Sequence, residues 1–322
     1  MRPDLVLPFP TQPDLASTMD IQIPALAWQP AGPGRFHRTY FLGDHAVDVQ
    51  VAEAPDALHF FHPPAPAAVT DRLHQLLRQA FPQQIADLTL GPNPTLRALQ
   101  HRYQGTMIMW ADPFEALVLT ILSQNRTGEI VRAVYPKLAA HCGGISPQRL
   151  AAIAVADLAT LIRSAGPYKA PRLAATASQV AAEGERQFTA HVVNAPAPQA
   201  LAYLESFPGV AHKTAACVLV FSARTTATLP VDTHLFRVAD RLGLARHNGR
   251  NTKTSRDALI TTLLGYSPDL APAHFLFLLV GRTTCGKSAP DCTACFLRPG
   301  CSYACGHAHA APPASPHPQG EP

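Results

Sequence analysis

Apolar and polar residues alternate in three short runs near the amino terminus: FHRTYFL (36–42), AVDVQVAE (46–53) and ALHFFH (57–62). A period of two, carried by β-branched and aromatic residues, predicts strands. Gly43-Asp44 and Ala54-Pro55-Asp56 read as the turns between them, so the three form an antiparallel meander. The period then lengthens, and helices are predicted at 66–80 and 93–104. Beyond Asp112 the pattern is almost entirely helical. In DPFEALVLTILSQ the apolar residues fall at 114, 117, 118, 121 and 122, and Pro113 suits a first turn. Further helices are predicted near 129–141, 147–155, 157–164, 170–183, 197–205, 213–222, 233–242, 254–265 and 271–281, joined by short connections marked by Gly, Pro or Asn. The expected fold class is mainly α, with a small antiparallel sheet in front. Five segments follow from the pattern: a Pro-rich arm (1–34), expected to be poorly ordered with at most one strand; a small α+β domain (35–105); a helical domain (106–284); a cysteine loop (285–301); and a disordered tail (302–322).

Composition narrows the class. The chain has 322 residues and 47% hydrophobic content, enough for a sizeable core and about two domains. No apolar run is long enough to span a membrane, and the first residues lack a basic-then-apolar leader, so a soluble cytoplasmic protein is expected. The net charge of +4 is uneven: residues 111–301 carry 19 Lys+Arg against 12 Asp+Glu, and the rest carries 7 against 10. A basic central region suits a polyanionic partner.

The stretch SFPGVAHKTAACVL (206–219) has helix–hairpin–helix spacing at Leu204, Phe207, Gly209, Val210 and Ala215. Backbone amides at such a turn suit a nucleic-acid phosphate, a contact that reads no sequence. An ordinary helical hairpin with a Gly turn explains the same residues equally well. Lys213 stands where the second helix begins, a poor place for a cation. A lysine amine is also a nucleophile that forms a Schiff base with a sugar aldehyde carbon, although a surface lysine reaching solvent or phosphate fits too. Downstream, in LPVDTHLFRV, Asp232 precedes Leu235, Val238 and Leu242 and is the expected N-cap. A carboxylate there can also stabilise a cationic sugar transition state.

Of seven cysteines, Cys285, Cys292, Cys295 and Cys301 crowd one loop, with six, two and five residues between them. Local crowding in a long chain points to metal rather than a disulfide framework. Four thiolates at this spacing hold either tetrahedral zinc or an iron–sulfur cluster. Cys142 and Cys217 are expected in the core and Cys305 in the tail.

FPGVAHKTAACVL followed by LPVDTHLFRVADRLGL resembles the helix–hairpin–helix (HhH-GPD) DNA glycosylases, and most closely endonuclease III. Eighteen residues separate Lys213 from Asp232, as in that family's signature. The resemblance implies a two-lobed helical glycosylase fold ending in a [4Fe–4S] loop on the four cysteines. It implies that Lys213 attacks C1′ of a flipped-out damaged nucleotide and that Asp232 assists base departure and proton transfer. Gly209, Val210, Ala211, His212 and Thr214 would form the DNA-binding hairpin. The family's hairpin reads L-P-G-V-G; here Phe207 and Ala211 replace the Leu and the second Gly, and the extra methyl puts phosphate affinity in question. In TILSQNRTGEIV, Asn125 falls on the family's gap-filling Gln, with Gln124 beside it and Arg126 next; either amide is placed to bond the orphan base. Gly128 stands where the family has Asp. AGPYKAPRL resembles the family's G-x-Y-x-x-K-A segment, shortened by two, with Tyr168 as a base-pocket candidate. Lys287 and Arg298 in the cysteine loop are further candidate DNA contacts. The front domain and Asp112-Pro113-Phe114-Glu115 resemble the alkylbase and 8-oxoguanine glycosylase branches.

The implied function is a monomeric base-excision glycosylase with abasic-site lyase activity, acting on double-stranded DNA in the nucleoid, with oxidised pyrimidines favoured. The alternatives are a monofunctional glycosylase for alkylated or mismatched bases and a non-catalytic DNA-binding paralogue.

Overall fold

In the computed structural model, residues 2–87, 91–223, 228–244, 252–266 and 270–307 are described. The front is a five-stranded antiparallel sheet of β1 (Leu5–Pro8), β2 (Gln29–Pro30), β3 (Arg35–Leu42), β4 (His45–Ala54) and β5 (Ala57–Phe61), in the order β1-β5-β4-β3-β2. The meander β3-β4-β5 follows the predicted alternation. Tyr40 lies opposite Val47 and Val51 opposite Phe60, and all four are buried.

The arm expected to be poorly ordered (1–34) is instead folded, over its described residues 2–34, into this sheet and its core. β1 is the strand anticipated, pairing Leu5 with Phe60 and Leu7 with Leu58, and β2 is a second strand where one at most was expected. The helix α1 (Leu15–Ile21) is capped by Asp14, which accepts from the Ser17 amide at 2.8 Å. Trp28 is fully buried, edge-on to Tyr40 and Phe81. Prolines interrupt the periodicity of this segment without removing its large apolar side chains, and it is those side chains that the core takes in.

α2 (Ala67–Ala80) and α3 (Pro94–Arg102) follow, flanked by a two-stranded pair, β6 (Gln83–Gln84) with β7 (Met107–Ile108). The central helix α4 (Pro113–Ser123) is buried at nearly every position, and Asp112 caps it by accepting from Phe114 N (2.9 Å) and Glu115 N (3.2 Å). Around it stand α5 (Gly128–Cys142), α6 (Pro147–Ala151), α7 (Val155–Leu161), α8 (Ala170–Glu183), α9 (Glu185–Val193), α10 (Ala197–Glu205) and α11 (His212–Val218). The pattern does not predict α9, because its polar start hides two core anchors, Phe188 and Val192. α11 runs on as a π-helical turn, Leu219–Ala223. α12 (Thr233–Arg241), α13 (Lys253–Tyr266), α14 (Ala271–Thr283), the cysteine loop and α15 (Ser302–His307) complete the described chain. The tail expected to be disordered therefore opens with a helix, and residues 308–322 lie outside the described residues.

Two hydrophobic cores result. The first joins the sheet to α4, α5 and α8–α10; the second joins α12, α14 and the cysteine loop. Segment 35–105 has no core of its own. Its sheet belongs to the first core, while Ile85, Leu96, Leu99 and Tyr103 belong to the second. A small sheet has one apolar face and must bury it against another layer. The seam between sheet and α4 carries a largely buried ion pair: Arg38 Nη2 donates to Glu115 Oε1, which also accepts from Tyr135 OH, both at 2.5 Å. Burial opposes the Arg38 charge most strongly, but Glu115, Tyr40 and Tyr135 together outweigh it and hold the guanidinium above its ordinary range. Among the described residues no helix is long and apolar enough to cross a membrane.

Candidate active site

The hairpin forms as the spacing predicts. α10 ends at Ser206, and Phe207 is buried against Tyr203 (5.3 Å) and Phe188 (5.9 Å). Gly209 has φ +78, a left-handed conformation that an L side chain rarely adopts. Ala211 has φ −94 and ψ 170, ordinary extended backbone, so its methyl adds no strain. Val210 N donates back to Phe207 O (3.1 Å), and Thr214 N to Ala211 O (2.8 Å). The amides of Gly209, Ala211, His212 and Lys213 find no acceptor among the described residues. Val210 and Thr214 are buried, and His212 is exposed, its Nδ1 2.8 Å from Glu205 Oε1.

The loop after α4 separates the two candidate amides. Gln124 Nε2 donates to Gly209 O and to Thr214 Oγ1, both at 3.0 Å, so this side chain fastens the hairpin. Asn125 is exposed, has φ +55 and finds no side-chain partner among the described residues. Arg126 holds the loop from outside, donating to Ser164 O (3.1 Å) and Asn125 O (2.9 Å). Lys169 holds it from within: fully buried, its Nζ donates to Leu122 O and Gln124 O at 2.7 Å, satisfying carbonyls left open at the end of α4. Burial, with Arg126 nearby, lowers Lys169 to about 8. Tyr168 is half exposed beside Gly166 and Arg126, on the surface of this loop.

Lys213 is exposed at the start of α11 and Asp232 is half-buried at the start of α12. Asp232 is the N-cap expected, its Oδ1 accepting from Leu235 N at 2.8 Å. The two form no direct ion pair, yet both charges act on the same two buried groups. Burial pushes the Cys217 thiol up, while Lys213 pulls it down and Asp232 pushes it up. Burial takes the His274 imidazole down to about 4, with Asp232 acting upward and Lys213 downward. His274 hydrogen-bonds the Pro230 carbonyl, two residues before Asp232, and leaves Nδ1 without a partner. The amine and the carboxylate thus flank one small region. His274, Arg237 and Arg241, and the capping role of Lys169, escaped the sequence reading because their partners are remote in sequence.

α12 reaches the cysteine loop with its other end. Gly281 lets α12 close on α14, since a Cβ there would lie 2.9 Å from His234 Cβ. Arg237 donates to Gly281 O (2.7 Å) and Cys285 O (3.0 Å). Arg241 donates to Gly286 O (2.6 Å), Lys287 O (2.9 Å) and Cys285 Sγ (3.2 Å), and its carbonyl accepts from Cys301 Sγ (3.3 Å). Burial and the neighbouring thiols raise Cys292 and Cys295: Cys301 and Cys285 act on Cys292, and Cys301, Cys285 and Cys292 act on Cys295. The four thiols are close enough to act on one another, beside an arginine that already donates to one of them. Among the described residues no three His, Cys, Asp or Glu side chains are arranged to hold a single ion. Lys287 and Arg298 are exposed. Cys217 is buried, Cys142 half-buried with its thiol pushed up to about 11 by burial, and Cys305 exposed.

Known proteins share this fold. The family model described as HhH-GPD superfamily base excision DNA repair protein matches residues 118–261. Endonuclease III of Treponema pallidum (strain Nichols) is 35% identical over 209 residues, covering 64% of this chain and 90% of that protein. Among solved structures, MBOgg1 in complex with a low-affinity DNA ligand aligns over 86% of this chain and 94% of its own, with TM-score 0.67 and 20% identity. A non-covalent endonuclease III–DNA complex aligns over 66% and 95%, with TM-score 0.54 and 24% identity. At these identities the structural likeness is one of fold. The longer alignment takes in more of this chain than the endonuclease III fold does.

Proposed function

The chain belongs to the HhH-GPD superfamily of base excision DNA repair proteins, and on that premise we propose that it is an endonuclease III-like DNA glycosylase with abasic-site lyase activity, in which Lys213 is the nucleophile. The observation that supports this most is the shared neighbourhood of Lys213 and Asp232, whose charges meet at Cys217 and His274. In the proposed reaction the neutral Lys213 amine bonds to C1′ of an extruded nucleotide. The glycosidic bond breaks, and the base leaves with the bonding electron pair and takes up a proton. Ring opening gives a protonated Schiff base. Loss of a C2′ proton then expels the 3′ phosphate, and water releases the lysine. The Asp232 carboxylate stabilises the cationic sugar and relays protons.

The partner is duplex DNA carrying a damaged base or an abasic site, bound by a monomer. The hairpin amides grip phosphate, and Asn125, the free amide of the pair, fills the gap left by the extruded base. Arg126, Lys287, Arg298 and His212 lie exposed as further contacts, and Tyr168, half exposed on the same loop surface, is the candidate to line the base pocket. Oxidised pyrimidines are the favoured substrates; alkylated purines are the alternative that the front sheet raises.

Cys285, Cys292, Cys295 and Cys301 are the residues that would hold a [4Fe–4S] cluster: they are four soft donors in one loop, their thiols act on one another, and Arg241 donates to Cys285 Sγ. The cluster would supply structural cross-linking to an otherwise irregular loop. Excision assays on a panel of oxidised, alkylated and mismatched duplexes, with wild type and Lys213→Gln, test the reading. Release of an oxidised pyrimidine with strand cleavage is expected. Release without cleavage, unaffected by Lys213→Gln, would indicate a water-attacking glycosylase, and no release from any duplex a non-catalytic binder.

A further inference from the structure

We propose that Arg172 is a phosphate ligand of the hairpin, gripping from a neighbouring helix the same DNA phosphate that the hairpin amides face. This rests on reading the chain as a DNA-binding glycosylase. Arg172 is exposed in the first turn of α8, and its side chain lies across the turn of the hairpin. A Cβ built on Gly209 would sit 2.6 Å from Arg172 Cδ, 3.0 Å from Nη1 and 3.2 Å from Nε. The arginine therefore occupies the space that glycine leaves empty, so Gly209 is required for its φ and for this approach as well.

Arg126, on the loop after α4, is engaged within the protein, donating to Ser164 O and Asn125 O. Arg172 makes no hydrogen bond or ion pair among the described residues. A guanidinium carries five N–H donors in a planar fork that matches a phosphate bidentately. Here that fork stands beside the hairpin amides, which also lack acceptors. The nearby carboxylate, Glu205, is engaged by His212 at 2.8 Å. Free donors thus converge on one turn with no free anion beside them.

The geometry is also fixed. Ala170 and Leu173 are fully buried, which seats the start of α8. Lys169, just before it, is bonded to Leu122 O and Gln124 O, and Gln124 is bonded in turn to Gly209 O. The base of the Arg172 side chain and the hairpin are therefore linked through a short chain of hydrogen bonds. An arginine held in place pays less ordering entropy on binding than a free one.

The test measures affinity for a duplex with an uncleavable tetrahydrofuran abasic analogue, by fluorescence anisotropy over a series of salt concentrations. Wild type, Arg172→Ala and Arg172→Lys are compared, each with a melting curve. Arg172→Ala should bind roughly tenfold more weakly, with a log K against log[salt] slope shallower by about one. An undamaged duplex should show the same shallower slope. Arg172→Lys should restore the slope but only part of the affinity, and melting should not change. Unchanged affinity and slope in Arg172→Ala would overturn the proposal. So would weaker binding with an unchanged slope and a lower melting temperature, the mark of a packing role. If wild type shows no salt-dependent binding to any duplex, the glycosylase reading falls as well; if wild type binds and only the Arg172 variants behave as wild type, this inference alone falls.

Discussion

The hairpin side and the cysteine side of the molecule use their cations in opposite ways. On the cysteine side, Arg237 and Arg241 spend their donors on the carbonyls of Gly281, Cys285, Gly286 and Lys287 and on Cys285 Sγ. On the hairpin side, Gln124 and buried Lys169 secure the loops, while Arg172 and four backbone amides remain open. The hairpin is complete without a guest and offers its free donors to one. The cysteine loop is irregular chain held by arginines and by four thiols that the protein itself does not bridge. On the function proposed above, one side would bind its ligand and the other would be cross-linked by its own.

The largest effect that would break this contrast is therefore at the cysteines. Cys292→Ser should cost more than about 5 kcal/mol of stability, because binding energy at such a site is folding energy. Thermal melts with iron analysis should show lost iron and an unfolded second core. A variant that melts like wild type would place the loop outside the folding unit.

The next effect lies in the first core. Glu115→Gln leaves Arg38 buried and uncompensated, and should cost about 3–5 kcal/mol in denaturant unfolding. Arg38→Met combined with Glu115→Leu should recover most of that loss. Failure of the double variant to recover would mean that the pair does more than neutralise itself.

A smaller, pH-dependent effect comes from His274, which lies between the two sides. Its folded value, about 4, is below the ordinary histidine value, so the unfolded chain binds more protons in the window between them. The stability it contributes is fully present above about pH 6.5 and is lost as pH falls toward 4, a few kcal/mol at most. Denaturant unfolding of wild type and His274→Gln across that window should show the variant with the flatter dependence. The smallest effect is expected at Ala211→Gly. Ala211 already has extended backbone, so affinity for DNA should change by less than about twofold and stability by less than about 1 kcal/mol. A large gain in affinity would show that the methyl obstructs the phosphate.

What was legible in the sequence is what short spacing encodes. The strands at 36–62, most helices after Asp112, the Gly209 turn, the Asp232 cap and the four-cysteine loop all depend on residues within a few positions of one another. What was missed depends on distant partners. Residues 2–34 fold because Leu5 meets Phe60 and Trp28 meets Phe81, contacts that local periodicity does not register. Lys169 read as part of a motif, yet it is a buried cap because Leu122 and Gln124 present carbonyls to it from another helix. Gln124 and Asn125 read as interchangeable. Only the hairpin, some 85 residues onward, separates the amide that is used from the one that is free.

Borohydride trapping on abasic-site DNA tests most directly whether the amine at the hairpin is the nucleophile. Wild type is predicted to give a covalent protein–DNA adduct that peptide mapping assigns to Lys213, and Lys213→Gln to give none. An undiminished adduct in Lys213→Gln, or base excision by wild type with no adduct at all, would contradict that assignment.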